Sequence, residues 1–369
     1  MMRLFHLALA ATAVCGCVFG QTVADAVQRA EAAEAAGNYR AAILELRAAV
    51  QAAPADAGLH TALGVAFFHE GYASNAVTEF RAAIRLAPTG MDARSSLASV
   101  WMSLGDMESA LPELVRVVQA DPNDTESRSE LGLCYLQTGR WEEAAREYTA
   151  LLNADPNSPE LMYNLAVARK HLQDDDGART LLRKSLERKP DFPAARFELG
   201  ETYWQEGMLD EAIAELEALR QTHPDFVPAY FPLAEAQRQK GDRDAAIRTI
   251  ETALRLGPNP SAYQQLAILK KQRGDVDGAA AAFHEAEVLR NESKLIQAAQ
   301  LATTAGKRLM AAGDTAGAIR KLEFALKVYP GIAETHFQLA MALQEHGEQA
   351  GGEEEFGKAL RLDGRLKRF

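Results

Sequence analysis

The sequence predicts an all-α solenoid of about ten helix-turn-helix repeats, on three observations. Prolines fall at 54, 88, 122, 156, 190, 224 and 258, and the interval between successive ones never changes. Glycines at 37, 71, 105, 139, 207 and 241 keep the same register, each midway between the prolines, and Gln173 is the one exception. Between these marks apolar residues recur at helical spacing, so each period holds two amphipathic helices rather than strands.

The chain opens differently. Arg3 precedes the uncharged run LFHLALAATAVCGCVFG, and a charge-rich, helix-forming sequence follows. A short basic start, an apolar stretch and a small-residue exit are the parts of a secretory signal peptide. Residues 1–20 are therefore expected to be a leader cleaved after Gly20, with Val18 and Gly20 at the small-residue positions. Two other readings stand beside it. Val14-Cys15-Gly16-Cys17 resembles a bacterial lipobox, which would make Cys17 an acylated first residue and the protein an outer-membrane lipoprotein. A retained leader would be a membrane anchor, although about 17 apolar residues interrupted by His6 lie at the lower limit for spanning. Cleavage at Gly20 leaves Cys134 alone, and a lone cysteine closes no bridge. Its setting, LGLCYL, is an apolar helical face, so it is expected as a buried small hydrophobe.

Repeats beginning at 23, 57, 91, 125, 159, 193 and 227 fill the register up to Pro258. The one at 193 shows the logic. Leu199, Gly200 and Tyr203 sit on the first helix, and Gly207 suits the left-handed residue that follows a helix. The second helix runs through Ala212, Leu216 and Leu219 and stops before Pro224, which lacks the N–H that a continuing helix needs. Gly200 and Ala212 are expected to mark the close crossing of the two helices, leaving Leu216 and Leu219 for the neighbouring hairpin. A single hairpin leaves one face bare, so each unit supplies the core of the next.

Past Pro258 the register slips. Leu266-Ala267, Gly274, Ala279, Phe283 and Ala286 place an eighth repeat at 260, one position early and without a closing proline. Pro330 lies four positions beyond two full periods from Pro258, and AFHEAEVLRNESKLIQAAQLA carries neither Gly nor Pro. The second helix of repeat eight is thus expected to be extended, or to kink near 293–298. The domain plan is a leader over 1–20, repeats one to eight over 21–292, the extended helix or kink over 293–298, repeats nine and ten over 299–366, and a basic tail over 367–369.

The recurring Leu-Gly-x-x-Tyr, Gly, Ala, aromatic or Leu, Ala and Pro resembles the tetratricopeptide repeat (TPR) family. The clearest units are 57 to 90 (Leu63, Gly64, Phe67, Gly71, Ala76, Phe80, Ala83, Pro88) and 125 to 158 (Leu131, Gly132, Tyr135, Gly139, Ala144, Tyr148, Pro156). Others are degenerate: Arg169 and Gln237 stand where an aromatic or Leu is usual, and Ser185 replaces an Ala. The resemblance implies a right-handed TPR solenoid whose first helices line a concave groove. It also implies that the residues flanking the Leu-Gly pair point into that groove. In repeats five to seven those are Tyr163, Phe197 and Phe231, then Val167, Glu201 and Glu235, then Lys170, Trp204 and Arg238. Aromatics beside charges have the composition of a peptide-binding hot spot. The family's clamp for a C-terminal carboxylate, built on Lys, Asn and Arg, is absent: Val27, Glu31, Ala62, Asp92 and Ser96 stand at the corresponding positions of repeats one to three.

No phosphate loop, HExxH, GxSxG or CxxC occurs, and neither His69-Glu70 nor His284-Glu285 has a second His at a metal-binding offset. Asp174-Asp175-Asp176 falls at an inter-helix turn, where polar residues are expected, and lacks the alternation of a calcium loop. A formal charge of −11 disfavours a nucleic-acid partner. The expected protein is thus not an enzyme and needs no cofactor or metal. It is an exported scaffold, periplasmic or secreted from a bacterium, that binds a protein or peptide segment. It would meet a membrane only through a retained leader or a lipidated Cys17. Self-association through an uncapped end is the remaining alternative.

Overall fold

The computed structural model describes residues 19–366, and nineteen α-helices and one 3₁₀ turn account for the regular structure among them. The leader expected over 1–20, with Cys17, lies outside the described residues apart from its last two, and the tail 367–369 lies outside them too. In chain order the helices are α1 (Phe19–Ala35), α2 (Tyr39–Ala52), α3 (Ala57–His69), α4 (Ala73–Leu86), α5 (Asp92–Ser103) and α6 (Met107–Ala120). Next come α7 (Thr125–Gln137), α8 (Trp141–Ala154), α9 (Pro159–His171), α10 (Asp175–Arg188), α11 (Pro193–Gln205) and α12 (Leu209–Thr222). The series ends with α13 (Tyr230–Gln239), α14 (Arg243–Leu256), α15 (Pro260–Arg273), α16 (Val276–Ala311), α17 (Thr315–Val328), α18 (Ala333–His346) and α19 (Gln349–Leu362). This is the all-α solenoid of helical hairpins that the register predicts. Two compact units divide the chain between Thr202 and Tyr203, within α11.

Each hairpin is made locally. Asp106, Asp174, Asp242, Asp275 and Asp314 cap the second helices, each accepting a hydrogen bond from the amide three positions on. The three aspartates at 174–176 thus begin with a helix cap. The turns before these caps need a left-handed residue. Gly105 takes it at φ 75° before Asp106, and Gln173, the one residue out of register, takes it at φ 62° before Asp174 against the steric preference of its side chain.

Packing inside the hairpins pairs small with large. A Cβ on Gly64 would lie 2.7 Å from the Phe80 ring, one on Gly132 2.9 Å from Tyr148, and one on Gly306 2.7 Å from Leu322. The residue facing each glycine is therefore sixteen positions on, at the middle of the second helix. The small residues twelve on, Ala76, Ala144 and Ala318, are buried as well, and the large residue one turn further supplies the atoms nearest the glycine. Cys134 is buried, with its Sγ 3.8 Å from Met107 Sδ, and burial followed by the charge of Glu130 pushes its thiol up to about 11.

A second device recurs at the start of the hairpins. Arg94 donates to Glu113 (2.5 Å) and to the carbonyl of Pro88 (3.2 Å), and Arg128 to Glu147 (2.5 Å) and the carbonyl of Pro122 (2.8 Å). The rings of His60 and His336 bridge in the same way, to Glu79 and Pro54 and to Glu355 and Pro330. One side chain thus ties the proline that closes a repeat to both helices of the next. Repeat five has Met162 and Leu181 at these positions and repeat seven has Tyr230 and Thr249, so neither forms the ion pair.

Helix α16 runs unbroken for 36 residues, through 293–298. Its first part packs on α15 and its last part on α17, so one helix serves as the second helix of repeat eight and the first of repeat nine.

Candidate functional site

The nine residues singled out by the groove offsets are all half-buried, and they fall on both units: Tyr163, Val167, Lys170, Phe197 and Glu201 on the first, and Trp204, Phe231, Glu235 and Arg238 on the second.

In the first unit, Lys170 on α9 reaches Glu198 (2.9 Å) and Glu201 (2.5 Å) on α11. Burial pushes its ammonium down, but the bonds and charges of Glu201 and Glu198 outweigh this and hold it above the usual lysine value. Lys170 and Glu201 therefore compensate each other, and Glu198 makes the cluster net acidic. Tyr163 packs its ring 5.2 Å from that of Phe192, and burial, then the charge of Glu198, pushes its phenol up. Val167 and Phe197 share these two helices.

In the second unit, Glu235 and Arg238 lie one turn apart on α13 and pair with each other; Arg238 Nε donates to Glu235 at 2.8 Å. The bond to Arg238 holds the Glu235 carboxyl below its usual range despite partial burial. These two side chains form one wall of a cavity of about 390 Å³ between α13 and α15. The facing wall is Gln265, Ile268, Leu269 and Gln272. Gln265 Oε1 is buried without a hydrogen-bond partner, and Ile268 keeps 41% of its surface exposed. An acceptor with no partner beside an exposed branched side chain is a mixed lining with room for one hydrogen-bond donor and one apolar group. Phe231 packs against the core built from Ala234, Ile247, Ile250 and Leu266. Trp204 buries its Nε1–H without a partner.

Gln265, Ile268 and Gln272 were not singled out in the sequence. The offset that yields Glu235 in repeat seven yields Ile268 in repeat eight once its register is moved one position early. Gln265 and Gln272 are seven apart and so share a helix face, a weak signal among many polar residues.

Among the described residues Cys134 is the one cysteine, and no three His, Cys, Asp or Glu side chains come together there as a metal-binding set. No described helix is long and apolar enough to cross a membrane.

No curated protein matches the sequence. Among solved structures, a tetratricopeptide repeat protein from Parabacteroides merdae ATCC 43184 is 18% identical, with a TM-score of 0.51 over 71% of this chain and 100% of its own. YrrB, described as a TPR protein with an unusual peptide-binding site, is 23% identical over 48% of this chain and 95% of its own, with a TM-score of 0.44. MamA from Desulfovibrio magneticus RS-1 is 21% identical over 47% of this chain and 98% of its own, at 0.44. Tetratricopeptide repeat patterns match residues 27–90, 73–125, 102–166, 135–196, 172–230, 203–269 and 303–365. With its periodic hairpins and most of its length matched, this chain belongs to the tetratricopeptide repeat family.

Proposed function

We propose that the protein is an exported scaffold that recognises a protein or peptide segment on the first-helix surfaces of its repeats. Membership of the TPR family points to protein–protein interaction. The observation that carries the finer reading is the cavity between α13 and α15, with the Glu235–Arg238 pair on one side and Gln265, Ile268 and Gln272 on the other. A segment entering it would satisfy Gln265 Oε1 with a backbone N–H, cover Ile268 with an apolar side chain, and meet a self-neutralised ion pair that tolerates either charge. Lys170, Glu198 and Glu201 offer a second polar patch, on the other unit, beside Tyr163, Val167 and Phe197. Trp204 and Phe231 add aromatic area to the second unit.

The test is a pull-down with residues 21–369 from envelope extract, beside two variants checked by circular dichroism. One carries Gln265→Ala, Ile268→Ala and Arg238→Ala; the other carries Phe197→Ala, Trp204→Ala and Phe231→Ala. A protein held by the wild type and lost from the folded first variant supports the cavity. Equal capture by all three sinks the reading. Loss from the aromatic variant alone moves the site toward α11. Export rests on Arg3 and the apolar run to Gly20. Amino-terminal sequencing of protein recovered from a bacterium would begin at Gln21 after cleavage; labelled fatty acid on Cys17 would make the protein a lipoprotein instead.

A further inference from the structure

A second cavity, of about 540 Å³, opens between α12 and α14, the second helices of repeats six and seven, with Gln237 of α13 in its lining. It owes its character to departures of repeat seven from the common frame. Phe67, Trp101, Tyr135 and Tyr203 occupy one register position in four repeats, and Gln237 occupies it here. Glu45, Glu79, Glu113 and Glu147 occupy another, and Thr249 replaces them. A buried aromatic and an ion-paired carboxylate have thus been exchanged for an amide and a hydroxyl.

The exchanged groups form a connected floor. Thr249 Oγ1 donates to Gln237 Oε1 at 2.8 Å, and Gln237 Nε2 approaches Glu217 Oε1 at 3.3 Å. Both Gln237 and Thr249 are more than nine-tenths buried. An amide nitrogen carries two N–H groups, so Gln237 retains one donor for a guest. The rim is cationic. Glu217 is taken up by Arg220, which donates to it twice, and Glu251 faces Lys270 at 3.4 Å. Arg255 bonds only the Thr252 hydroxyl at 2.7 Å, and the Arg248 side chain has no polar partner among the described residues. Arg248, Thr252 and Arg255 lie at i, i+4 and i+7 and so share one face of α14. Two uncompensated guanidinium groups above buried polar groups are unexpected on a chain of net charge −11.

We propose that this cavity is an anion site that takes a carboxylate or phosphate group. Arg248 and Arg255 hold the oxygens from the rim and the Gln237 amide donates from below. The planar guanidinium fork matches both oxyanions, and the partly enclosed walls strengthen such charge-assisted bonds over their value in open water. The site lies between second helices and is separate from the cavity between α13 and α15.

The proposal is tested by calorimetric titration of residues 21–369 at low salt with inorganic phosphate, citrate and a glutamate-rich peptide. The comparison proteins are Arg248→Ala/Arg255→Ala, Gln237→Tyr, which restores the aromatic of repeat four, and Arg243→Ala, on the same helix outside the cavity. All are checked for fold by circular dichroism. Binding of at least one anion is expected, weakened about tenfold or more in the double variant and in Gln237→Tyr, unchanged in Arg243→Ala, and reduced by salt. Binding of phosphate alone assigns the site to a free or esterified phosphate; binding of the peptide alone assigns it to an acidic protein segment. The proposal is overturned if none of the three binds, if Arg243→Ala costs as much as the double variant, or if the folded variants bind like wild type.

Discussion

Repeats four and seven occupy the same frame three periods apart and fill it with different residues at five of six matching places, the proline being common to both. Repeat four sets Gly132 against Tyr148, ties Arg128 to Glu147 and Pro122, and buries Tyr135 between its helices. Repeat seven has Ala234, Ile250, Tyr230, Thr249, Pro224 and Gln237 at the corresponding places. The proline carbonyl keeps a donor in both, since Tyr230 Oη donates to Pro224 at 2.7 Å. The buried volume is also kept, because Ala with Ile fills what Gly with Tyr fills. What changes is the lining between second helices, where an ion-paired carboxylate and an aromatic give way to a hydroxyl and an amide. The frame therefore fixes combined size and a few hydrogen bonds, and leaves the outer chemistry of each repeat free to vary.

The largest effect is expected where the small and large partners are uncoupled. Gly132→Ala places a methyl 2.9 Å from the Tyr148 ring and should cost about 1 to 3 kcal/mol in denaturant unfolding. Adding Tyr148→Leu should recover most of that loss, because Ala98 with Leu114 and Ala166 with Leu182 already fill the frame this way. Additive losses in the double variant would show that the two residues do not share one space. Next, Arg128→Met leaves Glu147 and the Pro122 carbonyl without their donor. It should cost about 1 to 2 kcal/mol, lowered from a fully buried pair because both side chains keep nearly a fifth of their surface exposed. Tyr230→Phe, which removes only one neutral bond in repeat seven, should cost about 1 kcal/mol or less.

A smaller effect separates the two repeats by pH. Burial, then the charges of Glu126 and Asp124, raise the Glu130 carboxyl to about 7, whereas repeat seven has Pro232 at that place. The folded protein binds this proton more tightly than the unfolded chain, so ionisation penalises folding. The penalty is absent below the ordinary glutamate value, grows as pH rises toward 7 and is complete above it. Glu130→Gln should raise stability at pH 8 by about 1 kcal/mol after allowance for solvent screening, and change little at pH 4. A variant equally stabilised at both values would trace the gain to something other than charge. The smallest change concerns repeat five: Gln173→Gly relieves a left-handed side chain and should add roughly 0.5 kcal/mol.

The fold was legible because its signals are local and periodic. Prolines that stop helices and glycines that turn them recur at fixed intervals, and Gln173 keeps the turn even without glycine because its neighbours impose it. That the Tyr148 ring lies nearest Gly132 was not legible, since which turn of the second helix faces the first depends on the crossing geometry. The Arg128–Glu147 tie joins charges on two different helices, invisible among the many charged side chains of the sequence until the hairpin brings them together. The candidate surface was legible in part. The offset rule names Glu235 and Arg238, which line the cavity between α13 and α15, but not Gln265, whose buried oxygen without a partner is a property of packing that residue type does not encode.

Helix α16 sets the angular phase of everything that follows it. At about 1.5 Å and 100° per residue, its 36 residues span about 54 Å, with no loop between repeats eight and nine to absorb an error. An added residue in an inter-helix turn can be looped out, whereas one added near Asn291 would rotate α17, α18 and α19 by roughly 100° relative to α15. The excess over two periods thus acts as a spacer of fixed twist, and the length of this one helix decides which way the faces of the last two repeats point.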